Sequence, residues 1–538
     1  MDVTPDAALA TFDALLSAAL ATAAEPSPED QPYERKYEAI EALETMLLCA
    51  EPQAPTAAQR ALINHRLGVL NIETDEPSAG ETRLEAALEV LRPATRQHPA
   101  ALLGALNQLG CLWTGRGELD KALVLLSEAE AAYRGGGCGE EPGPGSEAEH
   151  TLTLFYLAQL HGHRGKAATS AAYCLATLQR QLGAADGGYN RLECAVNCMG
   201  LASFYSSEQD FARAGHCLAA ADELMPVGAE EASPERAGLL RAWGELCILR
   251  LAKGAKQLID GVEREDDVAA KAAAAEAEAA EIALRGARFC SFSKWLPAVK
   301  EFTRASFAVP RDFEAARAVF KRGSASLGKA KEFFVLDGFV TDHCEVLLGL
   351  ADLYKNLAVF EPDAGRRTTM LKRRAAYLEP LIGELNEQYY GEFHRRFNFE
   401  LGDSWDTITK IRLLAHEHDG KELSAEKLQA SVDKCSFFYR AFCASFRWDV
   451  EGSAEEQKQV AEAVEDGSMQ WLLNVNFSLA KNLSRIGSRE YQTKAQEQYQ
   501  WMAEFVKRLE LPYEEGALAG KVAALLTEKI ARMAPAEQ

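Results

Sequence analysis

The run Leu109-Gly-Cys-Leu-Trp113-Thr-Gly-Arg-Gly-Glu-Leu-Asp-Lys-Ala122-Leu-Val-Leu-Leu126 decides the fold. If Gly110 is the eighth place of a helix pair, then Leu109, Trp113, Ala122 and Leu126 take the seventh, eleventh, twentieth and twenty-fourth. Small residues at the eighth and twentieth places let one helix touch the next, and the larger ones fill the seam between them. The same register returns at Leu201, Ala202, Tyr205, Ala214 and Leu218, closed by Pro226. Leu67 and Gly68 head a third copy with Gly80 and Leu84, and Leu157 and Ala158 head a fourth with Ser170 at the twentieth place.

This is the pattern of the tetratricopeptide repeat, whose helix pairs bury their apolar stripes only by stacking. The expected fold is all-α, a tetratricopeptide-like right-handed α-solenoid in two halves joined by a long helix. The repeats are placed near residues 61–93, 103–134, 151–182 and 195–226. Their heads, at 68, 110, 158 and 202, are 42, 48 and 44 residues apart. That exceeds the roughly 34 of the compact repeat, so loops are expected to protrude. The largest would be the Gly- and Pro-rich run 135–145.

The expected division is an N-terminal half over 1–258, a linker over 259–289 and a C-terminal half over 290–538. Helices are predicted over 6–24, 32–50 and 235–258. Pro5 has the position of a first helical residue. The linker holds a stretch from Lys271 to Glu281 that is almost entirely Ala and Glu, a composition that favours one exposed helix. In the second half Phe313, Ala316, Val319 and Phe320 have helical spacing, as do Phe333, Phe334, Phe339 and Val340, so these are read as core.

The 538 residues carry 58 Lys plus Arg against 80 Asp plus Glu, a net charge of −22. Nucleic acid is therefore not an expected partner, whereas a basic protein surface is. No secretory pattern opens the chain and no long uncharged apolar run occurs, so a cytoplasmic protein without membrane insertion, and a monomer, is expected. Cys111, Cys174, Cys217 and Cys247 fall at apolar helical places and are read as reduced core thiols.

Several strings are too irregular for a repeat consensus. They include His65-Arg-Leu-Gly-Val-Leu-Asn-Ile-Glu-Thr-Asp-Glu-Pro-Ser-Ala-Gly80, Tyr156-Leu-Ala-Gln159, Thr177-Leu-Gln-Arg-Gln-Leu182 and Ala330-Lys-Glu-Phe-Phe-Val-Leu-Asp-Gly-Phe-Val-Thr-Asp-His343. Lys372-Arg-Arg374, Leu378-Glu-Pro-Leu381 and Asn386-Glu-Gln-Tyr-Tyr390 continue the series. Over roughly residues 60 to 395 the chain resembles the kinesin-binding protein family. The resemblance implies a helical solenoid that grips the motor domain of selected kinesins and keeps them off microtubules. It also implies a cytoskeletal location and mitochondrial association.

In such repeats the second, fifth, ninth and twelfth places of the first helix face a groove, which here include His65, Asn107, Gln159 and Ser203. Tyr156 stands one turn before Gln159, so both can reach one ligand helix. The resemblance makes Tyr156, Gln159 and Gln181 partner-binding residues and gives Arg236 the charge of a basic one, whereas Gly200 departs from a hydroxyl-bearing residue. Inter-repeat packing is the competing reading of these positions. A chaperone adaptor is the alternative function, but its carboxylate clamp would need Lys and Asn where His65 and Val69 stand, and Lys and Arg where Leu152 and Tyr156 stand.

No enzyme, cofactor or metal site is expected. The Gly-rich run lacks the Gly-Lys-Ser/Thr ending that brings a lysine to phosphate. His161 with His163, and His416 with His418, are two apart and so on different faces of a helix. Cys194 and Cys198 share a face but have no second pair to complete a zinc set, and read as buried thiols. The cluster Arg366, Arg367, Lys372, Arg373 and Arg374 is expected to pair internally, with Asp337, Asp342 or Glu345 as candidates, or else to meet an acidic patch on a partner.

Overall fold

The computed structural model describes residues 5–28, 30–49, 54–137, 143–184, 189–226, 233–260, 291–299, 307–419, 424–446, 468–508 and 514–533. Nineteen α-helices and no strand occur among them, so the all-α class holds. The chain divides into two compact units, residues 1–208, 219–226 and 264–301 in one, and 209–218, 227–263 and 302–538 in the other. Most of the expected Ala/Glu linker helix lies outside the described residues.

The first unit is built from α1 (Pro5–Ala24), α2 (Glu34–Leu48), α3 (Ala57–Glu73), α4 (Pro77–Leu91), α5 (Pro99–Gly115), α6 (Leu119–Ala132), α7 (Pro144–His163), α8 (Ala167–Gly183) and α9 (Arg191–Ser207). Consecutive helices pair, α3 with α4, α5 with α6 and α7 with α8, and α5 also packs on α3 and α7. The small-residue places explain the seams. A Cβ on Gly68 would lie 2.5 Å from Leu84 Cγ, and one on Gly110 would lie 2.6 Å from Leu126 Cγ. In the third pair Ser170 Oγ donates to the Ala158 carbonyl at 2.7 Å, so a hydroxyl replaces the usual small apolar contact.

Each repeat turns at one fixed place, seven residues after its head. Asp75, Gly117, Gly165 and Gln209 all have positive φ, of 62°, 79°, 70° and 60°. The following N–H reaches back five residues in the first three, from Glu76 to Asn71, Glu118 to Trp113 and Lys166 to His161. This is the Schellman closure, which needs a left-handed residue and favours glycine there. Helix length absorbs part of the long repeat spacing, since α7 alone runs 20 residues and opens at Pro144. Of the expected loop, residues 138–142 lie outside the described residues, and Tyr133–Gly137 forms one π turn.

The second unit begins with part of α10 (Phe211–Leu224), then α11 (Pro234–Asp260), α12 (Phe313–Phe333), α13 (Val340–Phe360), α14 (Ala364–Glu384) and α15 (Gly391–Asp419). It ends in α16 (Ala425–Ala444), α17 (Ser468–Ser484), α18 (Arg489–Arg508) and α19 (Glu514–Arg532). Here the pairs α12–α13 and α14–α15 repeat in a register of 51 residues. Asp312 and Asp363 cap the first helices, their carboxylates accepting from the N–H of Ala315 at 2.9 Å and of Arg366 at 2.8 Å. At the opposite end His343 Nδ1 meets the Phe334 carbonyl at 2.7 Å and His394 Nε2 meets the Leu385 carbonyl at 2.9 Å. Each imidazole closes the orphan carbonyl that a helix end leaves.

The core residues expected in this half are largely buried. Ala316, Val319 and Phe334 are inside, with Phe313, Phe320 and Phe333 packed at the margin. Phe339 is an exception at 36% exposure, beside Gly338 with its φ of +106°. Cys111 is another exception, since it is exposed while Cys217 and Cys247 are buried.

Candidate functional site

Of the basic cluster, Arg366 and Arg374 pair internally, with different partners from those expected. Arg374 is 1% exposed and binds Glu400, with Asp403 at 2.9 Å. Lys355 adds contacts of 3.5 and 3.8 Å to the same two carboxylates. Burial opposes the charge on Asp403, but Arg374 and then Lys355 outweigh it and hold its carboxyl below the usual range. Arg366 pairs with Glu361 at 2.8 Å. Asp342 and Glu345 are instead taken by Arg241 and Arg396. A buried arginine with two carboxylates and a lysine is a structural knot.

The expected groove residues of the first unit separate into two sets. His65 and Asn107 are buried, at 3% and 1% exposure, which corrects their placement in a groove. Asn107 Nδ2 donates to the Glu149 carbonyl at 2.9 Å and its carboxylate at 3.1 Å, and its Oδ1 accepts from Thr153 Oγ1 at 2.8 Å. It joins α5 to α7. His65 lies where a Cβ on Gly104 would come within 2.8 Å of its Nε2, so glycine there makes room for the ring. Burial, then the neighbouring Arg66, pushes His65 down to about 3. These two residues serve inter-repeat packing because the first helices of adjacent repeats touch along that line.

Gln159 and Ser203 are exposed, and Tyr156 is half-buried at the edge of the apolar cluster formed by Leu126, Leu154, Leu157 and Tyr173. Burial raises the Tyr156 phenol, with Cys111 and Glu149 adding smaller effects. Its hydroxyl is therefore neutral at physiological pH. One turn before Tyr156, α7 also exposes Leu152, at 41%. Gly200 is exposed, with nothing near its missing Cβ.

The other two predicted residues lie elsewhere. Gln181, on α8, is half-buried, and its side-chain carbonyl accepts from the Cys194 thiol at 3.3 Å. It ties α8 to α9. Arg236 stands in the first turn of α11, in the second unit, its backbone N–H donating to Ser233 Oγ at 3.2 Å. Tyr156 and Gln159 share one helix, and Gln181 belongs to the next. Sequence reasoning named Leu152 only as a place that lacks a cation, although its apolar character four residues before Tyr156 was a readable signal.

Among the described residues no group of three His, Cys, Asp or Glu side chains could hold a metal ion. No described helix is long and apolar enough to cross a membrane.

Comparison with known proteins gives these surfaces a context. The sequence profile of a family described as "KIF-1 binding protein C terminal" matches residues 192–533. The chain belongs to the KIF-binding protein family. A KIF-binding protein from Gallus gallus is 31% identical over 471 residues, covering 78% of this chain and 79% of its own. One from Homo sapiens is 30% identical over 478 residues, covering 78% and 76%. A solved structure titled "Kinesin binding protein (KBP)" matches with a TM-score of 0.64 and 24% identity, covering 99% of both chains, which supports the shared fold. The KIF-binding protein family takes its name from binding rather than catalysis, in keeping with a chain read as a non-enzymatic scaffold.

Proposed function

We propose that this chain binds the motor domain of kinesins through the exposed surface around Tyr156 and Gln159, and thereby keeps the motor from its microtubule track. The family relation supports the partner, since its relatives are named for binding kinesins. The observation that carries the site is Tyr156, half-buried with a neutral hydroxyl, one helical turn from exposed Gln159 and close to exposed Leu152. An aromatic anchor supplies area, and an amide fixes the register of a docked helix.

The acidic balance supports the mechanism. A surface that binds acidic tubulin must itself be basic, and a chain of net charge −22 attracts such a surface at long range. Gln181 and Arg236 are proposed as further contacts by family resemblance. A working place in the cytoplasm, with cytoskeletal and mitochondrial association, belongs to the same proposal, as does a monomeric state. A carboxylate-capturing adaptor gains no support, because Leu152 and Tyr156 offer no cation. The test is a pull-down from cell extract: kinesin motor domains support the proposal, and chaperone C-termini in their place would overturn it.

A further inference from the structure

Two Lys-Arg steps recur in the second unit, where several other exposed cations, Arg311, Lys329 and Arg440 among them, also have no carboxylate partner among the described residues. Lys321 and Arg322 stand nine and ten residues after the cap Asp312, and Lys372 and Arg373 stand nine and ten after the cap Asp363. They occupy the same two places of the 51-residue register, on α12 and on α14. All four are exposed. Among the described residues none of them has a carboxylate partner. Arg322 is held by ring faces instead, 4.1 Å from the centroid of Trp243 and 5.8 Å from that of Phe307.

Some cations of the same unit are paired. Arg366, Arg374, Arg241, Arg396 and Lys434 each meet a carboxylate. Adjacent like charges repel, yet the Lys-Arg step recurs in equivalent places, and among the described residues Arg322 alone of the four packs on ring faces. Both helices pack against α13, so the two steps flank one helix.

We propose that Lys321, Arg322, Lys372 and Arg373 form a docking surface for an acidic polypeptide segment of a partner protein. The occupant follows from charge complementarity and from what the surface lacks. Neither α12 nor α14 exposes a large apolar side chain, which a helix lying on a membrane needs. A nucleic acid brings a charge with every phosphate, and the net −22 of the chain repels it over its whole length. A short acidic segment brings only the few charges that the two steps match. Charge-assisted hydrogen bonds from two guanidinium groups and two ammonium groups then replace water. This surface is independent of the one around Tyr156.

The test uses the full chain and a fluorescein-labelled decaglutamate peptide, read by anisotropy at low salt, with decathymidylate and phosphatidylserine vesicles as rival probes. The parent binds the peptide, and binding weakens steeply as salt rises. Reversal of all four cations to Glu lowers affinity by about tenfold or more. A second variant, Lys321→Gln with Lys372→Gln and Arg373→Gln, leaves the Arg322–Trp243 contact intact and loses roughly threefold or more while remaining as helical as the parent. Reversal of Lys166, Lys427, Lys481 and Lys507, four exposed cations elsewhere, leaves affinity within about twofold. No binding by the parent, an equal loss from the control quartet, or preference for the oligonucleotide or the vesicles would each overturn the proposal.

Discussion

The two units solve the same packing problem with different chemistry. In the first, helix pairs close on glycine, with Gly68 against Leu84 and Gly110 against Leu126, and the buried polar groups include neutral histidines. In the second, a buried arginine, two carboxylates and a lysine tie α13, α14 and α15 together. Apolar seams are governed by shape, so their weakness is overpacking. Buried charges are governed by pairing, so their weakness is the loss of one partner.

Arg374 gives the largest break. Arg374→Ala leaves Glu400 and Asp403 without their buried counter-charge, and removal of one partner from such a set costs about 3 to 5 kcal/mol. Chemical denaturation should show the loss, and hydrogen exchange should place it in α13 to α15 rather than α3 to α8. An equal loss of protection in both units would remove the distinction.

Acid should act in the opposite order. The folded His65 value of about 3 lies below the ordinary 6.5, so the unfolded chain binds the proton first. Stability is complete above pH 6.5 and falls as pH drops toward 3. At pH 5 His65 alone accounts for about 2 kcal/mol. His150, stacked on Tyr133 at 3.7 Å and pushed down to about 3 by burial, then Arg180 and Arg134, moves the same way. Asp403, held low, loses its contribution only as pH falls through the carboxylate range near about 4 and below. Exchange between pH 7 and 5 should therefore loosen the first unit before the second.

Shape should matter more in the first unit than charge. Gly110→Leu drives a side chain into Leu126 and should cost roughly 1 to 3 kcal/mol, visible as a lower melting temperature without loss of helix type. The smallest effect has the opposite sign. Asp75→Gly relieves a left-handed residue at φ 62° and should stabilise the first unit by up to about 1 kcal/mol, because glycine carries no Cβ penalty there.

Sequence reached the fold through the small residues. Gly68 and Gly110 have no other use than close approach, so their register exposed the pairs. The turn seven residues after each head was half visible, as Gly117 and Gly165, and hidden at Asp75 and Gln209, where side chains tolerate a conformation that glycine would signal. The 51-residue register was also legible in outline, from Asp312, Lys321-Arg322 and His343 repeating as Asp363, Lys372-Arg373 and His394. It went unread because the core residues between them change type, as Gly323 becomes Arg374. That change also hid the partners of Arg374, since Glu400 and Asp403 lie a helix beyond the acids nearest in the earlier segment. The accessibility of Gln159 and the half-buried edge position of Tyr156 were legible from the repeat register. The burial of His65 and Asn107 was not, because consensus places do not reveal how closely neighbouring helices pack.

The measurement that bears most directly on the central claim is landing of kinesin motors on microtubules with the Tyr156→Ala, Gln159→Ala double variant. Truncation of a central anchor and its neighbouring hydrogen bond typically costs about 2 kcal/mol or more of binding. The variant should stay as helical as the parent, yet fail to hold the motor domain and allow it to co-sediment with microtubules again. Undiminished inhibition by the folded double variant would contradict the account.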